Sequence, residues 1–137
     1  MDVTATRDRT GKLRHVVTIR NHRVPVDEMP ANGGEDTGPT PHDLYDAALA
    51  ACKAVTMVWY ANRKQIPLED VAVTVERDDA QERGGTYRLR ASLALGGGAL
   101  TDAQRDELLK VAAKCPVHKL MTQVTTEVVT ELATRSP

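Results

Sequence analysis

The segment from residue 41 to about residue 65 constrains the fold most, because it predicts one long amphipathic helix. Pro41 suits the first turn of a helix, and Thr40 before it suits the N-terminal cap. Apolar residues then recur at spacings of three and four, which predicts one buried face. The residues of that face are Leu44, Ala48, Ala51, Val55 and Val58. Ile66-Pro67 ends the pattern, since proline cannot continue a helix.

Segments on both sides of this helix have the alternating pattern of β-strands. Before it, residues 13–19 and 24–26 are rich in Val and Ile and enclose a turn at residues 20–23, which predicts a hairpin. After it, apolar residues alternate with small or polar ones over residues 71–75 and again over residues 87–95. We therefore predict a second hairpin.

The remaining segments complete the predicted order βββ-α-ββ-α-β. Residues 29–41 are dominated by Pro, Gly, Asp and Asn and predict a long loop. Thr101 and Gln104 form a capping-box pattern that opens a second helix, and Pro116 ends or kinks it. Residues 124–132 are predicted to form a last strand. Hairpins beside helices, without regular βαβ alternation, predict an α+β fold with a mainly antiparallel sheet and one long helix.

Composition limits the core and the classes of partner. The chain has no Phe and only 3% aromatic residues, so its core must be aliphatic, and a core of this kind favours help from a second chain. Its 137 residues predict a single domain over residues 1–137. A net charge of -1 disfavours nucleic acid and anionic membranes as partners. We see no membrane span or secretion signal and predict a cytoplasmic location.

Cys52 lies inside the first predicted helix. A free cysteine at such a position is most often a small buried hydrophobe. Lys53 cannot share its face, because neighbouring helix residues point about 100° apart. Any cation that activates Cys52 is therefore expected from another part of the fold.

Cys115 precedes a proline that can begin a new short helix. As the cap of that helix it would lie at the positive end of the helix dipole, so we predict a lowered pKa for its thiol. His118 either donates to the same sulfur or packs against nearby backbone. We do not interpret Cys115 and His118 as half a zinc site, because no second compact Cys/His pair exists, and we predict no metal or cofactor. The charged residues 76–83 are predicted to be a solvated hairpin tip without a further role.

Three motifs together resemble the OsmC/Ohr family. They are GGEDTGPTP at residues 33–41, LAAC at residues 49–52 and CPVHK at residues 115–119. With the order of strands and helices they cover nearly the whole chain. The first motif is more similar to the OsmC-like branch than to the organic hydroperoxide resistance branch.

The resemblance implies an intertwined homodimer with the long cysteine-bearing helix at its centre. It also implies a peroxiredoxin-like thiol peroxidase that reduces organic hydroperoxides in oxidative stress defence. Cys52 corresponds to the peroxidatic cysteine and Cys115 to the resolving one, and the oxidised pair would be reduced by a dithiol such as a lipoylated protein or thioredoxin. An apolar substrate pocket is expected at the subunit interface. The residues expected in it are Val55, Met57, Trp59 and His118.

One departure from the family pattern bears on activity. The family pairs its reactive cysteine with an N-terminal arginine and with a glutamate directly after the proline that opens the helix. Here His42 stands at the glutamate position, and Asp43 is the nearest carboxylate. Arg20 and Arg23 are both candidates for the arginine, with Arg14 less favoured. The absent glutamate favours an alternative function, a non-enzymatic dimeric module that binds a small apolar ligand or senses redox state. A thiol-dependent hydrolase has no triad-like pattern to support it.

Overall fold

The computed structural model describes residues 1–136, which form two compact units. The first contains Met1–Tyr45 and the C-terminal residues from Val129 onward, and the second contains Asp46–Val128. Both sheets are antiparallel, and three α-helices accompany them in the described part of the chain. The predicted α+β class is confirmed.

The first unit contains a three-stranded antiparallel sheet in the order β1-β2-β3. Its strands are β1 (Val3–Arg7), β2 (His15–Ile19) and β3 (His22–Val26). Ile19 pairs with His22, so Arg20 and Asn21 alone form the turn between β2 and β3. The predicted hairpin is confirmed, although β3 begins two residues before the predicted strand.

The loop after β3 is organised around the buried carboxylate of Asp27. It accepts backbone N–H groups of Glu28 (2.8 Å), Glu35 (3.3 Å) and Thr37 (3.0 Å), and the Thr37 hydroxyl donates to it at 2.6 Å. The hydrogen bonds from Thr37 are the main reason that the pKa of Asp27 is lowered to about 2. The predicted loop is therefore present, but it is ordered around one anion.

The same loop returns to β3 at Gly38. A Cβ atom at this position would lie 2.6 Å from the carbonyl oxygen of Pro25, which is backbone and cannot move aside. Asp27 donates its N–H to Pro39 at 3.1 Å and holds this close approach. Only glycine fits here without displacing the strand.

Helix α1 spans Pro41–Lys64 and matches its predicted bounds within one residue. The Thr40 hydroxyl accepts the N–H of Asp43 at 3.0 Å, and the Asp43 carboxylate accepts the N–H of Thr40 at 2.9 Å. These reciprocal bonds satisfy backbone donors that the first turn leaves free. Within residues 1–136, no helix is both long enough and apolar enough to cross a membrane.

The second unit combines α1 from Asp46 onward with a hairpin and two further helices. The hairpin pairs β4 (Asp70–Asp78) with β5 (Arg88–Gly96), and α2 (Asp102–Ala112) and α3 (Pro116–Thr122) follow. Thr101 and Gln104 form the predicted capping box of α2. The core contains Met57, Ala61, Leu108 and Ala112, packed against the half-buried hydrophobic residues Val71, Val73, Leu93 and Leu95.

The prediction of which face of α1 is buried is wrong. The residues that α1 buries are Asp46, Leu49, Lys53, Met57 and Ala61. The predicted face is largely exposed, and Val55 keeps 68% of its surface accessible. Leu108 and Ala112 of α2 join Met57 and Ala61 in the core, so the opposite apolar stripe has no partner within the described chain.

The predicted last strand is also wrong. Residues 124–132 are exposed and have no regular secondary structure. A strand needs a neighbouring strand for its backbone hydrogen bonds, and no strand of the described chain pairs with this segment.

The charged hairpin tip has a structural role that we did not predict. Arg77 Nε donates to Asp46 Oδ2 at 2.6 Å, and the Tyr87 hydroxyl donates to Asp46 Oδ1 at 2.6 Å. Burial and the bond to Asp46 raise the pKa of Tyr87 to about 12. The hairpin is thereby joined to α1 through a buried carboxylate.

Candidate thiol site

Cys52 lies on α1 with its side chain partly buried. Its Sγ is 3.9 Å from the hydroxyl of Thr56, one turn further along the helix. The backbone N–H of Val117 donates to the same sulfur at 3.4 Å. A side-chain hydroxyl and a backbone N–H therefore both contact this sulfur.

Cys115 caps the N-terminus of α3, as the sequence predicts, and is completely buried. Burial is the main cause that raises the pKa of Cys115, because it disfavours the charged form. The backbone N–H of His118 acts in the opposite direction, whereas a hydrogen bond to Cys52 raises the pKa further. The lowered pKa predicted for Cys115 is therefore wrong.

The two cysteines meet although they are 63 positions apart in the chain. Val117, two residues after Cys115, donates its N–H to Sγ of Cys52 at 3.4 Å, and the Cys52 side chain is near enough to raise the pKa of Cys115. One sulfur is partly exposed and receives a backbone donor, and the other is buried and disfavours charge. This asymmetry suits a pair in which one thiol reacts first and the other follows.

Lys53 supplies a buried cation beside this pair. Its Nζ donates to the carbonyl oxygen of Ala112 at 2.8 Å and lies 3.0 Å from Nδ1 of His118. Its charge lowers the pKa of Cys115 and so opposes the effect of burial. Lys53 lies on the buried face of α1, whereas Cys52 is partly exposed. This agrees with the prediction that the two neighbouring residues lie on different faces of the helix.

The predicted arginine and carboxylate lie in the first unit, whereas both cysteines lie in the second. Arg20 is exposed in the hairpin turn, and Arg23 is exposed on β3. Asp43 caps α1 through the N–H of Thr40. Arg14 Nε pairs with Asp8 at 2.9 Å.

The predicted pocket residues occupy three different environments. Val55 and Trp59 are exposed on α1, and the guanidinium of Arg63 stacks over the Trp59 ring at 5.1 Å. Met57 is completely buried and belongs to the core. His118 is half-buried beside Lys53.

Lys53 is the site residue that sequence reasoning missed. A signal was present, because Leu49, Lys53 and Met57 follow one another at four-residue spacing and therefore share one helix face. Assigning the buried stripe to the other side of α1 concealed it. Among residues 1–136, no group of three His, Cys, Asp or Glu side chains is arranged to hold a metal ion.

Comparisons with known proteins agree with this architecture. The family model described as OsmC-like protein matches residues 33–130, which include both cysteines. A search of the curated proteins found no match.

Three solved structures share the fold. An OsmC-like protein from Mycoplasma pneumoniae has a TM-score of 0.70 and 19% identity, over 90% of this chain and 87% of that one. An organic hydroperoxide resistance protein OsmC from Legionella pneumophila has a TM-score of 0.65 and 22% identity, over 89% and 88%. The organic hydroperoxide resistance protein OhrB of Bacillus subtilis has a TM-score of 0.58 and 23% identity, over 89% and 90%.

Proposed function

We propose, from the premise that this chain belongs to the OsmC-like protein family, that it is a thiol peroxidase acting on organic hydroperoxides in oxidative stress defence. The observation that carries the proposal is the meeting of Cys52 and Cys115 in two unlike environments. Two relatives of the same fold are organic hydroperoxide resistance proteins, which supports the substrate class.

Cys52 is the peroxidatic residue in this proposal. Its thiolate attacks the terminal oxygen of the hydroperoxide, the O–O bond breaks, and the departing alkoxide takes up a proton to become an alcohol. Cys52 is left as a sulfenic acid. Partial exposure and the bond from the N–H of Val117 support this assignment, because the attacking sulfur must be reachable and held in place.

Cys115 is the resolving residue. Its sulfur attacks Cys52, the S–O bond breaks, and hydroxide leaves with the Cys115 proton as water, so that a disulfide forms. A raised pKa keeps Cys115 a thiol until this step, which protects it from direct oxidation. A dithiol such as a lipoylated protein or thioredoxin then returns both sulfurs to the thiol form.

We also propose that the protein is a homodimer of single-domain chains located in the cytoplasm. The exposed apolar face of α1 supports the dimer. A monomer rarely exposes an apolar patch such as the one formed here by Val55, Val58 and Trp59. Covering this face with a second copy would also enclose an apolar substrate beside Val55 and Trp59. The participation of Arg20, Arg23 or Asp43 stays a prediction.

The alternative is a dimeric module that binds a small apolar ligand or senses redox state without turnover. It is favoured by the environment of the predicted activating residues, since Asp43 caps α1 and Arg14 pairs with Asp8.

Thiol counting after peroxide treatment distinguishes the two functions. Reduced protein treated with one equivalent of cumene hydroperoxide should lose two thiols per chain, and Cys52→Ser should abolish peroxide consumption. Cys115→Ser should complete one turnover and then accumulate overoxidised Cys52. If the wild type consumes peroxide no faster than the variant that lacks both cysteines, the peroxidase proposal is wrong and the binding module is favoured.

A further inference from the structure

Lys53 is a charged group in a place where charge is costly. Its side chain is 5% exposed, and among residues 1–136 no carboxylate lies within ion-pair distance of its ammonium. Burying a charge without a counter-ion is energetically costly, so such a residue is rarely present without a role. The two hydrogen bonds to Ala112 and His118 satisfy its donors but leave its positive charge uncompensated.

The partners of Lys53 flank Cys115 symmetrically. Ala112 lies three residues before the cysteine and His118 three residues after it. The ammonium therefore bridges the end of α2 and the first turn of α3, across the bend that carries the buried thiol. Lys53 therefore contacts residues on both sides of Cys115, and its charge acts on that thiol.

The contact with His118 limits how much charge the site holds. An ammonium has only donors, so Nδ1 of His118 accepts when Lys53 is protonated, and the imidazole is then neutral with its proton on Nε2. The ionisable groups near Lys53 are Cys52 on α1, Cys115 before α3 and His118 on α3.

We propose that Lys53 is a positioning residue for the resolving step, holding the α2–α3 bend and supplying the counter-charge for the Cys115 thiolate as it attacks oxidised Cys52. This inference rests on the proposed function for its place in turnover. No additional reactant is required, because the Cys115 proton leaves with the hydroxide from the sulfenic acid as water. The effect of Lys53 on the pKa of Cys115 has the sign that this role requires.

The test measures the ionisation of Cys115 directly. In a Cys52→Ser background one thiol remains, and its thiolate absorbance near 240 nm is titrated against pH, with the variant lacking both cysteines as the baseline for tyrosine. Replacing Lys53 by Met should raise the midpoint by about 1 pH unit or more, because an opposite charge nearby lowers a thiol pKa by this order. Lys53→Arg keeps the charge and should restore the midpoint, and Lys64→Met, at the end of the same helix, should leave it unchanged.

A second readout connects the charge to the reaction. With both cysteines present, Lys53→Met should form the disulfide at least about tenfold more slowly after a single peroxide addition, with its pH profile displaced upward and with more overoxidised Cys52 by mass spectrometry. Lys53→Gln, whose amide can keep the bond to Ala112, replaces Met if that variant does not fold.

The two proposals fail in different ways. An unchanged midpoint in both neutral variants would overturn the role of Lys53, even if the protein proves to be a peroxidase. A raised midpoint without peroxide consumption by the wild type would support the electrostatic role and reject the proposed function.

Discussion

Val117 donates its backbone N–H to Sγ of Cys52 at 3.4 Å, across 65 positions of the chain. The motif that begins with Cys115 therefore acts on both sulfurs, since the residue two positions after one cysteine binds the other. Pro116 begins α3, and the next backbone N–H, that of Val117, is free to donate to Cys52 on α1. The pair is held by backbone as well as by side chains.

The exposed apolar face of α1 predicts the oligomeric state. Val55→Asp should convert the proposed dimer into single chains on light scattering, because a buried carboxylate at an apolar interface has no counter-charge. Val55 keeps 68% of its surface accessible within one chain, so the fold itself should tolerate the change. The control is Thr74→Asp on the exposed side of β4. A wild-type protein that already behaves as one chain at micromolar concentration would contradict the dimer.

Met57 should be the most sensitive position of the core. It is completely buried and packs with Ala61, Leu108 and Ala112. Met57→Ala should lower the free energy of unfolding by about 2–5 kcal/mol, because it removes apolar contacts and leaves a cavity. Denaturant unfolding measures the change, and Leu109→Ala on the exposed side of α2 should cost far less. Equal losses in the two variants would mean that the core is placed wrongly.

The carboxylate of Asp46 should stabilise the junction between α1 and the β4–β5 hairpin. Asp46→Ala removes the buried carboxylate to which Arg77 and Tyr87 donate and should cost about 1–3 kcal/mol in the free energy of unfolding. A double-mutant cycle with Arg77→Met measures the coupling between the two side chains. Additive losses would show that the ion pair contributes no net stability.

Asp27 should make the stability of the first unit depend on acid pH. Its folded pKa of about 2 lies below the ordinary value of 3.8, so the anion stabilises the fold above about pH 4, and this contribution is lost as the pH falls through 2. Asp27→Asn should therefore be less stable than wild type at pH 7, with the difference shrinking between pH 4 and pH 2. Urea midpoints at several pH values measure this convergence. Parallel curves over that range would show that Asp27 is not the responsible group.

Local signals in the sequence predicted local structure well. The cap residue Thr40 and the capping box at Thr101 predict where α1 and α2 begin, because each satisfies backbone donors within its own turn. The alternation over β4 and β5 likewise predicts their half-buried residues. These features depend on neighbours a few positions away.

The errors concern partners that are distant in the chain. Helix α1 has apolar residues on two sides, and only the positions of Leu108 and Ala112 decide that the Met57 side is buried. The pKa of Cys115 depends on burial, which outweighs the backbone donor at its helix cap. Residues 124–132 have the composition of a strand but no strand to pair with in the described chain.

The complete burial of Cys115 determines which sulfur of an oxidised pair a reductant can attack. An incoming reductant attacks whichever sulfur it can reach, and only Cys52 presents accessible surface. The mixed disulfide would then form at Cys52, with Cys115 as the departing group. A dithiol donor whose second cysteine is replaced by serine should therefore remain as a covalent adduct on Cys52 of the oxidised protein, because it lacks the thiol that would break the mixed disulfide.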